Sequence, residues 1–358
     1  MNNHPAHWWQ MLDDGRIQCD LCPRECKLHA GQRGLCFVRE READRLVLNT
    51  YGRSSGFCVD PIEKKPLNHF HPGSSVLSFG TAGCNLSCKF CQNWDISKSR
   101  DTDKLGQQAS PEAIAQACVQ MGTKSVAYTY NDPVIFAEYA MDVADACHAA
   151  GVQSVAVTAG YMHDAPRRAF YAKMDAANVD LKSFTDAFYR DLCAGELQPV
   201  LDTLAYIRHE TNCWLEITTL LIPGANDSDA ELTSLCRWVA RELGPTVPLH
   251  FTAFHPDYKL RGVLATPLET VQRARHIALS EGLHHVYTGN VHDSAGGTTN
   301  CCACGTALIE RDWHEVRQYR LVDANACPGC GERLAGRFEA LDGVFKGFGR
   351  QRIPIAFQ

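Results

Sequence analysis

Short apolar runs alternate with longer amphipathic stretches through the middle of this chain. Seven runs of four to eight residues have the length and composition of buried strands, and they lie at 76–79, 125–129, 154–158, 178–181, 214–221, 249–254 and 284–287. Amphipathic stretches typical of helices lie between most of them, for example at 111–121, 134–150, 229–243 and 266–281. Strands that alternate with helices predict βα units and a parallel sheet.

The number of these units favours a barrel. Six or seven βα units fit a complete or partial (β/α) barrel better than an open doubly wound sheet, although periodicity alone does not separate the two. A cysteine-rich loop follows the first strand at its carboxyl end, where a barrel places its chemistry. We therefore expect an α/β fold with a partial (β/α)6 barrel of the TIM type. Two helix starts are also predicted, because Ser110-Pro111 and Thr266-Pro267 each place a capping residue before a proline.

The loop after the first strand holds three cysteines, Cys84, Cys88 and Cys91, in the spacing C-x3-C-x2-C. Three thiolates can hold three corners of a [4Fe–4S] cube and leave the fourth iron open to another ligand. A zinc site completed by a distant ligand is the alternative, but zinc clusters usually pair two C-x2-C knuckles and this loop has one. An iron without a protein ligand indicates that the cluster takes part in catalysis, whereas a cluster with four protein ligands indicates electron transfer.

The stretch TAGCNLSCKFCQNW resembles the signature of the radical S-adenosylmethionine (radical SAM) enzymes. The resemblance implies that S-adenosylmethionine binds the open iron through its amino and carboxylate groups. The reduced cluster would then cleave it to a 5′-deoxyadenosyl radical, which abstracts hydrogen from a substrate. Phe90, directly before the last cysteine, would shield one face of the cluster and lie near the adenine.

Polar residues at later strand ends are candidates for cofactor contacts, because the carboxyl ends of barrel strands face one site. Asn131 and Asp132 follow the second run and would meet the methionyl amino group. Asp180 and Lys182 end the fourth run on one face of a strand, and Lys182 could pair with a carboxylate. Further strand-end candidates are Thr158, Thr218, Thr219 and His255.

The chain resembles two groups of radical SAM proteins, a broader one and a closer one, in further motifs. The Asp-Leu-Lys strand of the glycyl-radical-enzyme activases reappears at 180–182. The closer resemblance is to the radical SAM component of the AmmeMemoRadiSam system, on the motifs PIEKKPLNHFHPGS, AYTYNDPVIFAEY, DLKSFTDAFY, TTLLIPGANDS, HFTAFHPDYK and VYTGNVHD. The resemblance departs at Ala159, His71 and Asp132, where asparagine, tyrosine and glutamate are expected. It implies Memo-like and AMMECR-like protein partners, a macromolecular substrate and an electron donor of the flavodoxin or ferredoxin type.

Both ends of the chain carry four cysteines in metal-like spacing. The N-terminal set reads C-x2-C-x3-C-x9-C, which suits a structural zinc ion or a second iron–sulfur cluster, with zinc slightly preferred. The C-terminal set is two C-x2-C knuckles, each followed by glycine, and predicts a zinc ribbon, with a rubredoxin-like iron as the alternative. The N-terminal residues are Cys19, Cys22, Cys26 and Cys36, and the C-terminal residues are Cys301, Cys304, Cys327 and Cys330.

Two cysteines outside these ligand sets, Cys193 and Cys302, have distinct sequence contexts. Cys193 lies in an LCAG turn after the fourth strand and is a weak candidate for a substrate-facing, catalytic thiol. Cys302 lies within the first C-terminal knuckle, directly after Cys301, at a position where proline is common, and is predicted not to be a ligand.

Composition and charge bound the class of protein. The 358 residues are 45% hydrophobic and 21% charged, as in ordinary globular chains. No apolar run approaches the roughly 20 residues of a membrane-spanning helix, and the first residues do not have the pattern of a signal peptide. Eighteen cysteines in this context indicate reduced thiolates in the cytoplasm. A net charge of −6 argues against a broad basic surface that binds nucleic acid. Whether the predicted C-terminal zinc ribbon binds nucleic acid through a local basic patch stays open.

These predictions combine into four segments: a cysteine-rich segment at 1–70, a radical SAM barrel at 71–296, a zinc-ribbon-like module at 297–338 and a tail at 339–358. The predicted function is cleavage of S-adenosylmethionine by a [4Fe–4S] enzyme. A glycyl radical activase is the alternative within the class. A non-catalytic iron–sulfur electron carrier or a zinc-dependent binding module is the alternative from another class.

Overall fold

In the computed structural model, which describes residues 4–98, 105–340 and 345–357, the central feature is a nine-stranded sheet. Seven of its strands are parallel and follow each other in chain order. They are β1 (Ser75–Gly80), β2 (Ser125–Tyr128), β3 (Gln153–Thr158), β4 (Ala176–Asp180), β5 (Trp214–Leu221), β6 (Leu249–Ala253) and β7 (Val286–Gly289). The predicted parallel sheet is confirmed, because each of these strands overlaps one of the seven predicted runs.

One long helix connects each pair of consecutive parallel strands. These helices are α1 (Pro111–Met121), α2 (Ala137–Ala149), α3 (Asp164–Tyr171), α4 (Gln198–Glu210), α5 (Asp229–Trp238) and α6 (Leu268–Ser280). Within the described ranges β1 and β7 do not pair, so six β/α units and a seventh strand form a partial barrel, as predicted. No helix in these ranges is long and apolar enough to cross a membrane.

Shorter helical turns extend several of these helices or lie in the loops. Pro133–Phe136 is a 3₁₀ turn that leads into α2, and Val239–Leu243 is a π-helical turn that ends α5. The remaining short turns are Ile62–Lys64, Trp94–Ser97, Asp186–Phe188, Tyr189–Cys193 and Ser294–Gly297.

The two predicted helix starts have different outcomes. Ser110 caps α1 as expected, since its hydroxyl accepts a hydrogen bond from the Ala113 amide at 3.2 Å. The second prediction is wrong: α6 begins at Leu268, and Thr266 does not cap it. The Thr266 hydroxyl instead donates to the Leu221 carbonyl at 2.6 Å and accepts from Phe254. Thr266 therefore joins the ends of β5 and β6.

Two antiparallel strands complete the sheet beyond β1. Gly56–Pro61 pairs with β1, and Ile353–Ile355 pairs with Gly56–Pro61. Thus the predicted cysteine-rich segment and the predicted tail each supply one strand, which covers an edge of the sheet that would otherwise be open. Residues 341–344 and 358 of the predicted tail, and residues 1–3 of the N-terminal segment, lie outside the described residues.

The N-terminal module consists of two small antiparallel sheets. Their strands are His4–Pro5, Arg45–Leu48 and Arg39–Glu42 in one sheet, and Trp9–Met11, Ile17–Cys19 and Lys27–Leu28 in the other. Arg39 forms a salt bridge with Glu138 of α2, and their side chains are only 1% and 2% exposed. Arg39 Nε also donates to the Ile135 carbonyl at 3.2 Å. A buried ion pair therefore fastens this module to the barrel. Arg53–Ser54 and Gln107–Gln108 form a separate two-stranded antiparallel sheet.

The C-terminal module is a three-stranded antiparallel sheet of Thr299–Asn300, Ala307–Asp312 and Glu315–Tyr319. Its Arg311 lies 3.6 Å from Glu63, and both side chains are 1% exposed. Arg311 also donates to the Asn68 carbonyl at 2.8 Å. A second buried arginine–glutamate pair thus joins this module to the residues before β1.

Candidate active site

A cavity of about 280 Å³ lies at the carboxyl ends of the parallel strands. Residues at or just beyond the ends of all seven strands line it, so the sheet must curve around one central space. Its polar and sulfur-bearing lining residues include Cys84, Cys88, Cys91, Asn131, Asp132, Thr158, Asp180, Lys182, Thr218, Thr252 and Asn290. The cavity is where a partial barrel is expected to place its chemistry.

The three cysteines of the loop after β1 all reach this cavity. In the described part of the chain, only the four C-terminal cysteines bring their sulfurs all within 4.8 Å of one another. At least one pair of sulfurs among Cys84, Cys88 and Cys91 is therefore more than 4.8 Å apart, farther than thiolates bound to one tetrahedral ion. A [4Fe–4S] cube places each thiolate on a different iron. Three thiolates facing one cavity are a donor set that fits such a cube.

Asn131 holds the start of the cysteine loop. Its Oδ1 accepts from the Thr81 amide at 3.0 Å, and its Nδ2 donates to the Gly83 carbonyl at 3.0 Å. The side chain is buried and also lines the cavity. Asn131 therefore sets the path of the backbone directly before Cys84. Its predicted contact with the methionyl amino group stays a prediction.

Asp132 ties the end of β2 to the end of β3. Its carboxylate accepts from the Thr158 hydroxyl at 2.8 Å, the Ala159 amide at 2.9 Å and the Val134 amide at 3.1 Å. Burial raises the pKa of Asp132 above its ordinary value, although these hydrogen bonds act in the opposite direction. Ala159 stands where the family resemblance predicts an asparagine. It contributes its backbone amide to this network, as the donor to Asp132 Oδ2. The predicted cofactor contact of Asp132 also stays a prediction.

Asp180 and Lys182 lie together on the cavity wall. Lys182 Nζ is 2.8 Å from Asp180 Oδ2, and the two side chains are 13% and 38% exposed. The Tyr189 hydroxyl accepts from the Lys182 amide at 3.0 Å and fixes the backbone there. Among the residues that line the cavity, Lys182 is the one lysine or arginine. The pair therefore presents both a cation and a carboxylate to the space beside the cysteines.

Thr218, one of the strand-end candidates, lines the cavity, and so does Asn290, which was not predicted. Thr218 of β5 is buried, and its hydroxyl has no hydrogen-bond partner within the described residues. Asn290 follows β7 and donates from its amide to the Ala253 carbonyl at 3.1 Å. Asn290 directly follows β7, and this position at a strand end is the only signal that the sequence offers for it, whereas Thr218 lies inside β5, three residues before Leu221. His255, a strand-end candidate, is exposed and is not part of the cavity lining.

Phe90 and Cys193 differ in their relation to the cavity, because only Phe90 lines it. Phe90 is 5% exposed, lines the cavity and packs its ring 5.6 Å from the ring of Phe188. Cys193 is fully buried and is not part of the lining. Its carbonyl accepts from the Ser87 amide at 2.8 Å, and its thiol hydrogen-bonds with Cys88. Cys193 thus contacts the cysteine loop outside the cavity lining, and its predicted role as a substrate-facing thiol stays a prediction.

The four C-terminal cysteines form a compact group. The sulfurs of Cys301 and Cys330 are 3.5 Å apart, and those of Cys304 and Cys327 are 3.6 Å apart. Four thiolates around one tetrahedral ion with bonds of 2.3 Å would be about 3.8 Å apart. The geometry therefore suits one metal ion. Cys302 is exposed and lies outside the group.

A partial (β/α) barrel with three thiolates of one loop at its open end is the architecture of an iron–sulfur enzyme. Comparison with known proteins agrees: the chain belongs to the radical SAM superfamily. Residues 79–236 match the family profile described as Radical SAM superfamily. An uncharacterised protein of Methanocaldococcus jannaschii is 38% identical over 330 residues, which cover 92% of this chain and 98% of the relative.

Solved structures of radical SAM proteins are also similar to this chain. A domain of a pyruvate-formate lyase-activating enzyme from Bacteroides vulgatus is 17% identical, with a TM-score of 0.41, over 46% of this chain and 99% of that one. A radical SAM methyltransferase from Sphaerobacter thermophilus is 16% identical, with a TM-score of 0.48, over 85% of this chain and 81% of that one. The family assignment does not depend on these similarities, because both scores are below 0.5.

Proposed function

We propose that this protein cleaves S-adenosylmethionine reductively and uses the product radical to abstract hydrogen from a substrate. Cys84, Cys88 and Cys91 would hold the [4Fe–4S] cluster. When bound, the cluster and S-adenosylmethionine supply a 5′-deoxyadenosyl radical. The observation that carries the proposal is that three thiolates of one loop share a cavity with the ends of seven strands.

The polar residues of the cavity have complementary roles in this proposal. Lys182 would attract the carboxylate of S-adenosylmethionine, and Asp180 would hold the lysine side chain in position. The unpartnered Thr218 hydroxyl offers a further hydrogen bond to a polar group in the cavity. Asn131 and Asp132 would act as positioning residues through the loop and strand ends that they join.

The apolar part of the lining would exclude water from the reacting atoms. Leu86 and Phe90 come from the cysteine loop, and Val157 and Leu220 come from the opposite strands. A dry site strengthens every electrostatic contact made in it and protects a reactive intermediate from side reactions.

The family motifs support a finer proposal for the biological setting. We place the protein in a system with Memo-like and AMMECR-like partners, acting on a macromolecular substrate with electrons from a flavodoxin or ferredoxin. The C-terminal cysteines would hold a structural zinc ion. Every cysteine among the described residues is a free thiol, which supports a reducing compartment such as the cytoplasm.

Anaerobic reconstitution with ferrous iron and sulfide tests the catalytic proposal. Wild-type protein, reduced in the presence of S-adenosylmethionine, should release 5′-deoxyadenosine and methionine. The Cys84→Ala/Cys88→Ala/Cys91→Ala variant should release neither, whereas the exposed-thiol control Cys302→Ser should match wild type. Intact S-adenosylmethionine in the fully loaded wild type would instead support an electron carrier or a binding module.

The Asp180–Lys182 pair supports a second candidate, a glycyl radical activase, because the Asp-Leu-Lys strand resembles that group. Electron paramagnetic resonance of a candidate partner enzyme after incubation would decide between the two. A glycyl radical doublet in the partner is expected of an activase. Its absence while 5′-deoxyadenosine accumulates would favour another substrate.

A further inference from the structure

The four N-terminal cysteines surround a second cavity. Cys19, Cys22 and Cys36 are buried, Cys26 is half-buried, and all four line this space. Its other walls are largely apolar and include Leu21, Leu35 and Ile135. Four thiols that line one enclosed space are the arrangement expected of metal ligands.

The spacing of these sulfurs differs from that at the C-terminal group. Their ligand atoms do not form a group within 4.8 Å in the described part of the chain, where the C-terminal cysteines do. The pocket that they line has a volume of about 20 Å³, which is room for about one water molecule. Thiolates around one zinc ion lie about 3.8 Å apart. The N-terminal sulfurs are therefore less closely gathered than a single tetrahedral ion requires.

Hydrogen-bond donors are arranged for an anionic group in this space. The Leu35 amide donates to Cys26 Sγ at 3.4 Å, and the amides of Arg24 and Val38 donate to Cys22 and Cys36. Arg24 also lines the cavity, and its Nη2 is buried without a hydrogen-bond partner among the described residues. A cluster carrying four thiolates is anionic, and hydrogen bonds to its sulfurs are a usual means of stabilising it.

This site touches the loop that carries the catalytic cysteines. A Cβ at Gly83 would lie 2.0 Å from the Cys36 carbonyl oxygen, so only glycine permits the observed approach. On the other side of Cys84, the Asn85 carbonyl accepts from Arg24 Nε at 2.9 Å, and Asn85 itself lines the second cavity. The residues on both sides of Cys84 are thus in contact with the N-terminal site.

We propose that Cys19, Cys22, Cys26 and Cys36 hold a second [4Fe–4S] cluster, and that it relays single electrons to the catalytic site. The relay role rests on the function proposed above. A one-electron donor protein of the flavodoxin or ferredoxin class is oxidised as it reduces this cluster. The cluster returns to its oxidised state when it passes that electron to the cluster at Cys84, Cys88 and Cys91. Four protein ligands leave no iron open, which suits electron transfer.

Iron, sulfide and zinc counts after anaerobic reconstitution test the assignment of the cluster. Wild type should contain about eight irons and eight sulfides per chain, and the Cys84→Ala/Cys88→Ala/Cys91→Ala variant about four of each. After reduction, that variant should show a cluster resonance that S-adenosylmethionine does not change. Zinc without iron in the variant, or one iron without sulfide, would overturn the assignment.

The same variant separates this inference from the proposed function. If wild type fails to cleave S-adenosylmethionine while the triple variant keeps four irons, the proposed catalysis fails and the second cluster stands. The relay is tested with Cys26→Ser, which alters the half-buried ligand, assayed with a flavodoxin and with dithionite. We expect the flavodoxin-driven rate to fall at least about tenfold and the dithionite-driven rate to change less. Equal losses with both reductants, or no loss with either, would overturn the relay.

Discussion

The two ends of this chain each bring four cysteines to the barrel, and they differ in what those cysteines can hold. Both modules are fastened by a buried arginine–glutamate pair, Arg39 with Glu138 and Arg311 with Glu63. The C-terminal sulfurs lie within 4.8 Å of one another, whereas the N-terminal sulfurs form no such group and line a small pocket beside the loop of Cys84. The same number of cysteines is therefore arranged in two different ways, and the distance between sulfurs distinguishes them.

The strongest test of this difference is to remove one buried ligand at the N-terminal site. Cys22→Ala should lower the iron content by about four per chain and leave zinc unchanged, because four thiolates are needed to saturate a cube. Metal and sulfide analysis of purified protein measures both. Loss of zinc with unchanged iron would reverse our assignment of the two ends.

Gly83→Ala should disturb both iron sites at once. Its φ of +85° disfavours a side chain, and the added Cβ would collide with the Cys36 carbonyl. We expect a loss of iron from both sites, measured by reconstitution. Gly122→Ala is the matched control, since it also has positive φ but nothing lies within 4 Å of its Cβ position. Unchanged iron in Gly83→Ala would show that the two sites are not in close contact.

The complementary change at the C-terminal site is Cys327→Ala. This cysteine is 1% exposed, and its loss should release about one zinc per chain while iron and 5′-deoxyadenosine formation persist. The melting temperature should fall, because metal binding at such a site stabilises the fold. Retention of zinc in this variant would contradict the single-ion assignment.

The fastening of the N-terminal module can be weakened without touching a cysteine. Glu138→Ala leaves Arg39 buried and unpaired and should lower the free energy of unfolding by about 3–5 kcal/mol, measured with denaturant. The exposed pair Arg190–Asp191 provides the control, and Asp191→Ala should change the same quantity by less than about 0.5 kcal/mol. Similar effects for the two variants would show that burial of the ion pair does not matter.

The smallest effect is expected at Cys302. It is exposed and lies outside the compact group, so Cys302→Ser should bind the same amount of zinc as wild type. A lower zinc content would make it a ligand.

The sequence was most informative where chemistry and local periodicity coincide. The apolar runs predicted strands β1 to β7. The polar residues at the end of the fourth run, Asp180 and Lys182, were predicted as site residues, and both lie on the cavity wall. These predictions rest on the pattern of residues within one short segment of the chain. The pairing of Gly56–Pro61 with Ile353–Ile355 was not predictable in this way, because it joins residues almost 300 positions apart.

The roles of individual side chains were harder to predict for the same reason. Thr266 has the sequence context of a helix cap but bonds to the ends of two strands, which only the tertiary structure brings to it. Likewise, the preference for zinc at the N-terminus came from the cysteine spacing alone. The contrary proposal of a cluster comes from the separation of the sulfurs in space.

The central claim is that the cluster at the catalytic loop has an iron without a protein ligand. Electron–nuclear double resonance of the reduced protein with S-adenosylmethionine labelled with ¹⁵N at its amino group tests it directly. We predict a ¹⁵N coupling to the cluster that disappears in the Cys84→Ala/Cys88→Ala/Cys91→Ala variant. No coupling in a fully loaded wild type, with Cys193 found as a fourth thiolate, would contradict it.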